Sequence, residues 1–332
     1  MRVLIFSAGA DTGGQGERIR QGFAEHQPDW HVDALALADK YMAYPAQFTG
    51  PAHSRVVRAR ELYDAADVVH LRLTLGAWEK MDRGQGKPVV LHHHGTIFRG
   101  NSFAIAQYAQ RIGAVQVAST IDLTMLAPGV AWLPAPLDFA PLRALRDSVY
   151  KPSDRIRIAH APTNRNAKHT NVLAAAVKML AREHPVDLDI IENVTWAQCL
   201  ARKAQADIFY DQLNYGYGNN AVEAWAMGMP VLSGVGNPNV QRAMIVEWGR
   251  IPFVEASAAT LADQLRALIL SRDMRAEYAA IGTEHVERFH SAARVVAQLA
   301  DIYRSAPRTV RAHKPTPLPA IERRRQLAGR WC

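Results

Sequence analysis

The run GYGNNAVEAWAMGMPVL, Gly216 to Leu232, packs a loop, a helix start, a carboxylate and a buried strand into one short unit. Gly216 and Gly218 leave backbone amides open, and Asn219 or Asn220 is placed to cap a helix that carries Glu223 near its start. Ala221, Ala224 and Ala226 keep that helix slim, Gly228 ends it, and Pro230 leads into a Val231-Leu232 strand. A junction of this kind offers amide donors and a positive dipole end to an anion, while a carboxylate accepts hydrogen bonds from hydroxyls. The combination suits a phosphate joined to a sugar.

Outward from this run, short apolar strands alternate with helical stretches. Val3 to Phe6, His31 to Leu35, Val68 to Leu71, Val89 to His92, Val115 to Val117 and Val130 to Leu133 read as strands. Helices are predicted over 14–25, 54–65 and 102–111. After a polar connector around Arg143 to Asp154 the pattern restarts. Strands at Ile156–His160, Leu188–Ile191 and Ile208–Tyr210 are separated by helices over 170–183 and 195–204. Further helices follow over 259–271 and 273–304. Strands spaced by crossover helices give an α/β class with parallel, doubly wound sheets.

At 332 residues, with 48 % hydrophobic and 21 % charged side chains, the chain is long enough for two globular domains. No apolar run reaches the ~18 residues needed to span a bilayer, and the opening MRVLIFSAG reads as a first strand rather than a signal peptide. Two cysteines, Cys199 and Cys332, argue against a disulfide framework, and a cytoplasmic location is expected. The formal charge of +8 points to an anionic partner or substrate. It is concentrated after Ser305, where Arg308, Arg311, Lys314, Arg323, Arg324, Arg325 and Arg330 face only Glu322, and Pro307, Pro315, Pro317 and Pro319 interrupt any helix. This tail is either a solvated basic segment or a contact for a polyanion, anionic lipid or another subunit.

Four further groups of residues carry chemistry. Gly13-Gly14 follows the first strand and opens the first helix, a turn that admits close approach of a ligand but matches neither a Walker loop nor a dinucleotide fingerprint. His92, His93 and His94 end a strand, and alternation of side chains keeps all three from meeting at one metal; no metal site is expected. Arg165 and Lys168, in HAPTNRNAKHT, are two cations in a strand-to-helix turn, able to bracket a diphosphate or simply to be solvated. Asp211 and Gln212 end a strand beside the glycine-rich loop, where they contact sugar hydroxyls or cap the loop, and Glu192 follows the preceding strand.

The run ending in Leu232 resembles the nucleotide-sugar site of the retaining glycosyltransferases of family 4, which have the GT-B fold. Their pattern is a Glu, seven residues, then a second Glu opening an E-A-M-A-x-G-x-P-V run. Glu223 matches the second Glu, and Tyr215 stands in place of the first. The motifs H-A-P-T-N-R…K and G-x-x-A-V-E-A-x-A-x-G-x-P-V resemble a bacterial or phage branch, with Lys168-His169 where the family has Lys-Gly. The resemblance implies two Rossmann-like domains facing across a cleft. These are residues 1–142 on the acceptor side, a linker over 143–154 and a nucleotide-sugar domain over 155–284, with a helix over 285–304 crossing back and a tail over 305–332.

It also implies transfer of a sugar from a nucleotide diphosphate sugar such as UDP-hexose, with retention, as a metal-independent reaction. There is no cofactor beyond that co-substrate, and a glycan, a protein or modified DNA is the acceptor. Arg165 and Lys168 would hold the diphosphate and Glu223 the ribose. The amides of Tyr217, Gly218, Asn219 and Asn220 would hold phosphate and sugar, Gly13 and Gly14 allow close approach, His94 reaches a sugar hydroxyl and Glu192 lies near the base. Rival readings are a DNA-modifying glycosyltransferase acting on hydroxymethylated bases, a sugar-nucleotide binding protein on a decayed scaffold, and an epimerase of the same two-domain shape.

Overall fold

Val3, Leu4, Ile5 and Phe6 are all buried, as a parallel strand covered on both faces requires, so β1 (Arg2–Ala10) is an interior strand of a sheet rather than its edge. The computed structural model describes residues 1–72 and 81–310. Trp78 and the basic residues from Arg311 to Arg330 lie outside them. Two compact units are present: Met1–Lys40, Tyr44–Pro136 and the chain from Ala292 form the first, Tyr41–Ala43 and Leu137–Ser291 the second.

In the first unit β2 (His31–Ala38), β1, β3 (Val68–Arg72), β4 (Val89–His93), β5 (Val115–Ala118) and β6 (Val130–Trp132) pair in that order, all parallel. Period-two alternation sends Val3 and Ile5 to one face and Leu4 and Phe6 to the other. The first face is covered by α1 (Gln15–His26), through Ile19 and Phe23, and by a helix from the far end of the chain, through Val295, Val296, Leu299 and Tyr303. The second face receives α2 (Ala52–Ala65) and α3 (Gly95–Ile112), through Leu62, Tyr63, Phe98, Ile105 and Ala109; α4 (Ile121–Thr124) adds Leu123.

The second unit begins with α5 (Ala140–Val149), which occupies most of the stretch read from sequence as a polar connector. Its support is not local: Leu142 is buried, and Arg146 Nη1 donates to the carbonyls of Ala204 (2.9 Å) and Ala206 (2.7 Å). The sheet runs β10 (Tyr215–Gly216), β11 (Val231–Val235), β9 (Ile208–Tyr210), β7 (Ile156–His160), β8 (Val186–Ile190), with β12 (Val254–Glu255) also on β11. All pairs are parallel except the short antiparallel pairing of β10 with β11. The helices α6 (Thr170–Leu180) and α10 (Leu261–Leu270) cover one face. On the other side α7 (Trp196–Lys203), α8 (Asn219–Ala226) and α11 (Arg272–Phe289) pack around α5 and one another. The helix α9 (Pro238–Trp248) follows β11.

The single helix expected over 273–304 is two, α11 and α12 (Ala292–Ser305), broken at His290-Ser291. The break is held by a hydrogen bond from Leu137 N to His290 O (2.9 Å) and by His290 Nε2 against the Tyr217 hydroxyl (2.8 Å). Beyond α12, Val310 N donates to Ile112 O and Thr309 Oγ1 to Lys87 O, so the chain stays on the first unit up to Val310.

Candidate active site

In the second unit the chain goes from β7 to β8 on one side and then to β9 on the other, so the carboxyl ends of β7 and β9 flank the switch point where doubly wound sheets bind ligands. The loop leaving β7 carries Arg165 and Lys168, that leaving β8 carries Glu192, and that leaving β9 begins with Asp211. Lys168 Nζ donates to the buried Asp211 carboxylate, whose other oxygen accepts from Gly218 N (2.6 Å) at the start of α8. A Cβ placed on Gly218 would lie 3.7 Å from Lys168 Nζ, so the ammonium sits directly over the first turn of that helix. Arg165 is largely exposed and forks onto Glu192, with Nε 3.0 Å from both carboxylate oxygens. That pairing holds Glu192 below the usual carboxylate range.

Beneath this surface lies a buried polar cluster. Lys203, fully buried at the end of α7, donates to Glu223 Oε2 (2.7 Å) and to Asn220 Oδ1 (2.7 Å) and lies 5.0 Å from the centre of the Phe209 ring. Trp196 Nε1 donates to Glu223 Oε1 (2.9 Å), and Asn220 Nδ2 donates to Ala161 O (3.1 Å). The expectation that Asn219 or Asn220 caps α8 is corrected. Gly218 is the N-cap, no side chain caps the helix, and Asn220 is turned instead toward Lys203 and Ala161.

Gln212 is committed to its own turn. It donates to Gly216 O (3.0 Å) and accepts from Asn214 N (3.3 Å) and Tyr215 N (3.1 Å). Tyr217 buries its ring against Trp225 and Trp248, with its hydroxyl between His285 and His290 Nε2 (2.8 Å each). Its side chain therefore anchors the loop whose backbone carries the amides. His160, at the end of β7, is locked between Tyr210 O (3.0 Å) and Thr170 Oγ1 (2.8 Å), and burial pushes its pKa down to about 4.

The first unit has its own polar edge. Gly13 (φ +80°) and Gly14 (φ +61°) both adopt the left-handed region, and a Cβ on Gly14 would approach Tyr44 Cδ1 to 3.0 Å, so the turn requires glycine at this position. Two amides of the first turn of α1 are already engaged: Asp11 accepts from Gly16 N and Glu17 N (3.1 Å each) and pairs with the buried Arg72. Arg72 Nε in turn donates to His94 Nε2 (3.2 Å). The His94 ring lies 4.1 Å from that of His92, tilted by 33°, and His92 meets His70 (3.1 Å), itself bonded to the Tyr303 hydroxyl of α12 (2.6 Å). Burial and then the nearby guanidinium of Arg72 hold His94 neutral. His93 points away, stacked on Phe98 and bonded to Gln116.

The edge of the second unit thus gathers Arg165, Lys168, Glu192, Asp211, Gly218, Asn219, Asn220 and Glu223, and the edge of the first gathers Gly13, Gly14 and His94. Sequence reasoning passed over Asp11, Arg72, Trp196 and Lys203. Asp11 had a local signal, an Asp before a glycine turn that opens a helix, whereas Lys203 had none. Among the described residues no group of three His, Cys, Asp or Glu could hold a metal ion, and no helix is long and apolar enough to cross a membrane.

No protein-family model matches the sequence, and neither does any curated protein. Solved structures do match in fold. Sucrose-phosphate synthase from Thermosynechococcus elongatus superposes with a TM-score of 0.63 at 14 % identity, over 92 % of this chain and 98 % of that one. HepE of Anabaena, in complex with UDP and glucose, gives 0.63 at 16 % identity over 92 % of this chain and 100 % of that one. An α-glucosyltransferase in complex with UDP and a 13-mer DNA gives 0.63 at 11 % identity, with the same coverage of both chains as HepE. The chain has the GT-B fold that these glycosyltransferases share.

Proposed function

We propose that the chain is a glycosyltransferase that moves a hexose from a UDP-sugar to an acceptor with retention of anomeric configuration. The observation that supports this most directly is the meeting of Lys168 and the Gly218 amide on one anionic oxygen pair, that of Asp211, at the switch point of the second unit. An ammonium and a helix-start amide converging on one carboxylate are the donors that a diphosphate needs, and a diphosphate carries more charge than the Asp it would compete with. Arg165, exposed on the same turn, adds a second cation by exchanging Glu192 for phosphate. Glu223, oriented by Lys203 and Trp196, takes the ribose hydroxyls, and the backbone from Tyr217 to Asn220 takes phosphate and sugar.

In the transition state negative charge grows on the departing diphosphate, and fixed cations and amides there lower the barrier. The leaving phosphate accepts the acceptor's proton, and neutral His94 hydrogen-bonds a sugar hydroxyl. The acceptor is a glycan, a protein or modified DNA, and likeness in fold does not choose among them.

The test is turnover of UDP-glucose, followed by NMR for release of UDP and for the anomer formed, with and without EDTA. The wild type is expected to release UDP in both conditions. Lys168→Ala should lose about 30- to 1000-fold in kcat/KM, the loss of roughly 2 to 4 kcal/mol at the leaving group. A wild type inert towards every nucleotide sugar, or a Lys168→Ala variant within twofold of it, overturns the reading.

A further inference from the structure

A cavity of about 390 Å³ opens on the carboxyl edge of the second unit, at the ends of β9, β11 and β12 and beside the start of α6. This is the ligand-binding edge of a doubly wound sheet, and the volume falls in the range of small-molecule sites. None of Arg165, Lys168, Glu192, Asp211, Gly218 or Glu223 lines it. It is kept open by small residues, Gly236, Ala256, Ser257 and Ala258, and a Cβ at Gly236 would already press within 3.1 Å of Asn214 Oδ1.

The lining identifies a chemistry. No Lys or Arg contributes to it, and Glu255 does, with one oxygen accepting from Gln241 (2.5 Å); a phosphate or carboxylate ligand would meet like charge with no counterion. Asn214, Gln264 and Ser257 provide groups that both donate and accept, as hydroxyl recognition demands. Leu213, Val235, Ala256 and Ala258 provide an apolar floor of the kind that the C–H face of a sugar ring covers.

His169 adds an unmet need. Its Nε2 lies 3.3 Å from Asn214 Nδ2, an amide nitrogen that can only donate, so the ring proton sits on Nδ1. That nitrogen is buried and has no hydrogen-bond partner among the described residues.

We propose that this cavity binds a neutral saccharide, at a site distinct from the one assigned to the nucleotide sugar. Its occupant sits beside the donor loop, because Leu213 and Asn214 continue directly from Asp211 and Gln212, and His169 follows Lys168. The site does not require the donor reading to hold.

Saturation-transfer NMR on the full-length protein with glucose, galactose, N-acetylglucosamine, maltose and cellobiose, against inorganic phosphate and UDP, tests the assignment. At least one saccharide should show transfer and phosphate should not compete with it. Ala258 is exposed, so Ala258→Phe fills the cavity without disturbing the core and should abolish that signal; Gln264→Ala should weaken binding about tenfold, the loss of one hydrogen bond to a ligand. UDP binding should stay within twofold in both variants. Absence of transfer from every saccharide, or undiminished transfer in Ala258→Phe, overturns the proposal. A failure of UDP to bind with saccharide binding intact would instead count against the donor site.

Discussion

At the scale of the residue, the most exacting position is Lys203. A fully buried ammonium is tolerated because Asn220 and Glu223 surround it, and Glu223 is itself only 3 % exposed, so neither charge can turn to water if the other is removed. Lys203→Met should therefore cost about 3 to 5 kcal/mol in urea unfolding, and adding Glu223→Leu should recover part of that, since the double variant leaves no uncompensated charge. A double variant no more stable than the single one would mean that the pair does not act as a unit. This is also where residue-level reading from sequence stopped. Glu223 stood out as a candidate because a carboxylate just after a glycine-rich loop has a chemistry of its own, and Arg165 and Lys168 because two cations share one strand-to-helix turn. Lys203 sits in an ordinary amphipathic helix end, Ala201-Arg202-Lys203, and only the approach of α7 to α8 distinguishes it from its half-buried neighbours Ala201 and Arg202.

At the scale of the element, α11 packs closely against the last turn of α8. The contact depends on Gly282: a Cβ there would fall 1.9 Å from Trp225 Cδ1 and 2.3 Å from its Nε1, both atoms of a rigid, fully buried indole. Gly to Ala within a helix ordinarily stabilises by up to ~1 kcal/mol, so the sign of Gly282→Ala separates the two effects. Overpacking should win, with a net loss of about 1 to 3 kcal/mol by thermal or urea denaturation; a stabilised Gly282→Ala would show that the helices separate freely. Elements with a strong local period, such as β1, α1 and β7, were readable from sequence. The helix α5 and the break between α11 and α12 were not, because Arg146 reaches carbonyls of Ala204 and Ala206 and His290 reaches Tyr217, partners far away in the chain. The start of α8 was misassigned for a related reason: an Asn before a helix is a cap only when no stronger partner competes, and Lys203 does.

At the scale of the whole molecule, both units bury histidines at the carboxyl ends of their strands, and the alternation of α and β in the sequence gave no hint that these would be neutral. Burial pushes His70 down to about 3, His93 to about 4 and His160 to about 4, from an unfolded value near 6.5. With folded pKa values below the unfolded one, the unfolded chain binds more protons between these limits. Stability is therefore full above pH 6.5 and falls as pH drops from 6.5 towards 4. For His160 alone the shift corresponds to about 3 kcal/mol, enough to consume a large part of the stability of an ordinary domain. The expected result is a melting temperature nearly constant from pH 8 to 7 and declining steeply below about 6.5. His160→Gln keeps a donor for Tyr210 O and an acceptor for Thr170 Oγ1 while removing the titration, so its acid slope should be shallower than that of the wild type. Equal slopes in the two proteins, measured by calorimetry across the same pH series, would remove His160 from the acid response and leave it to the other buried histidines, His70 and His93 of the first unit and His285 of the second.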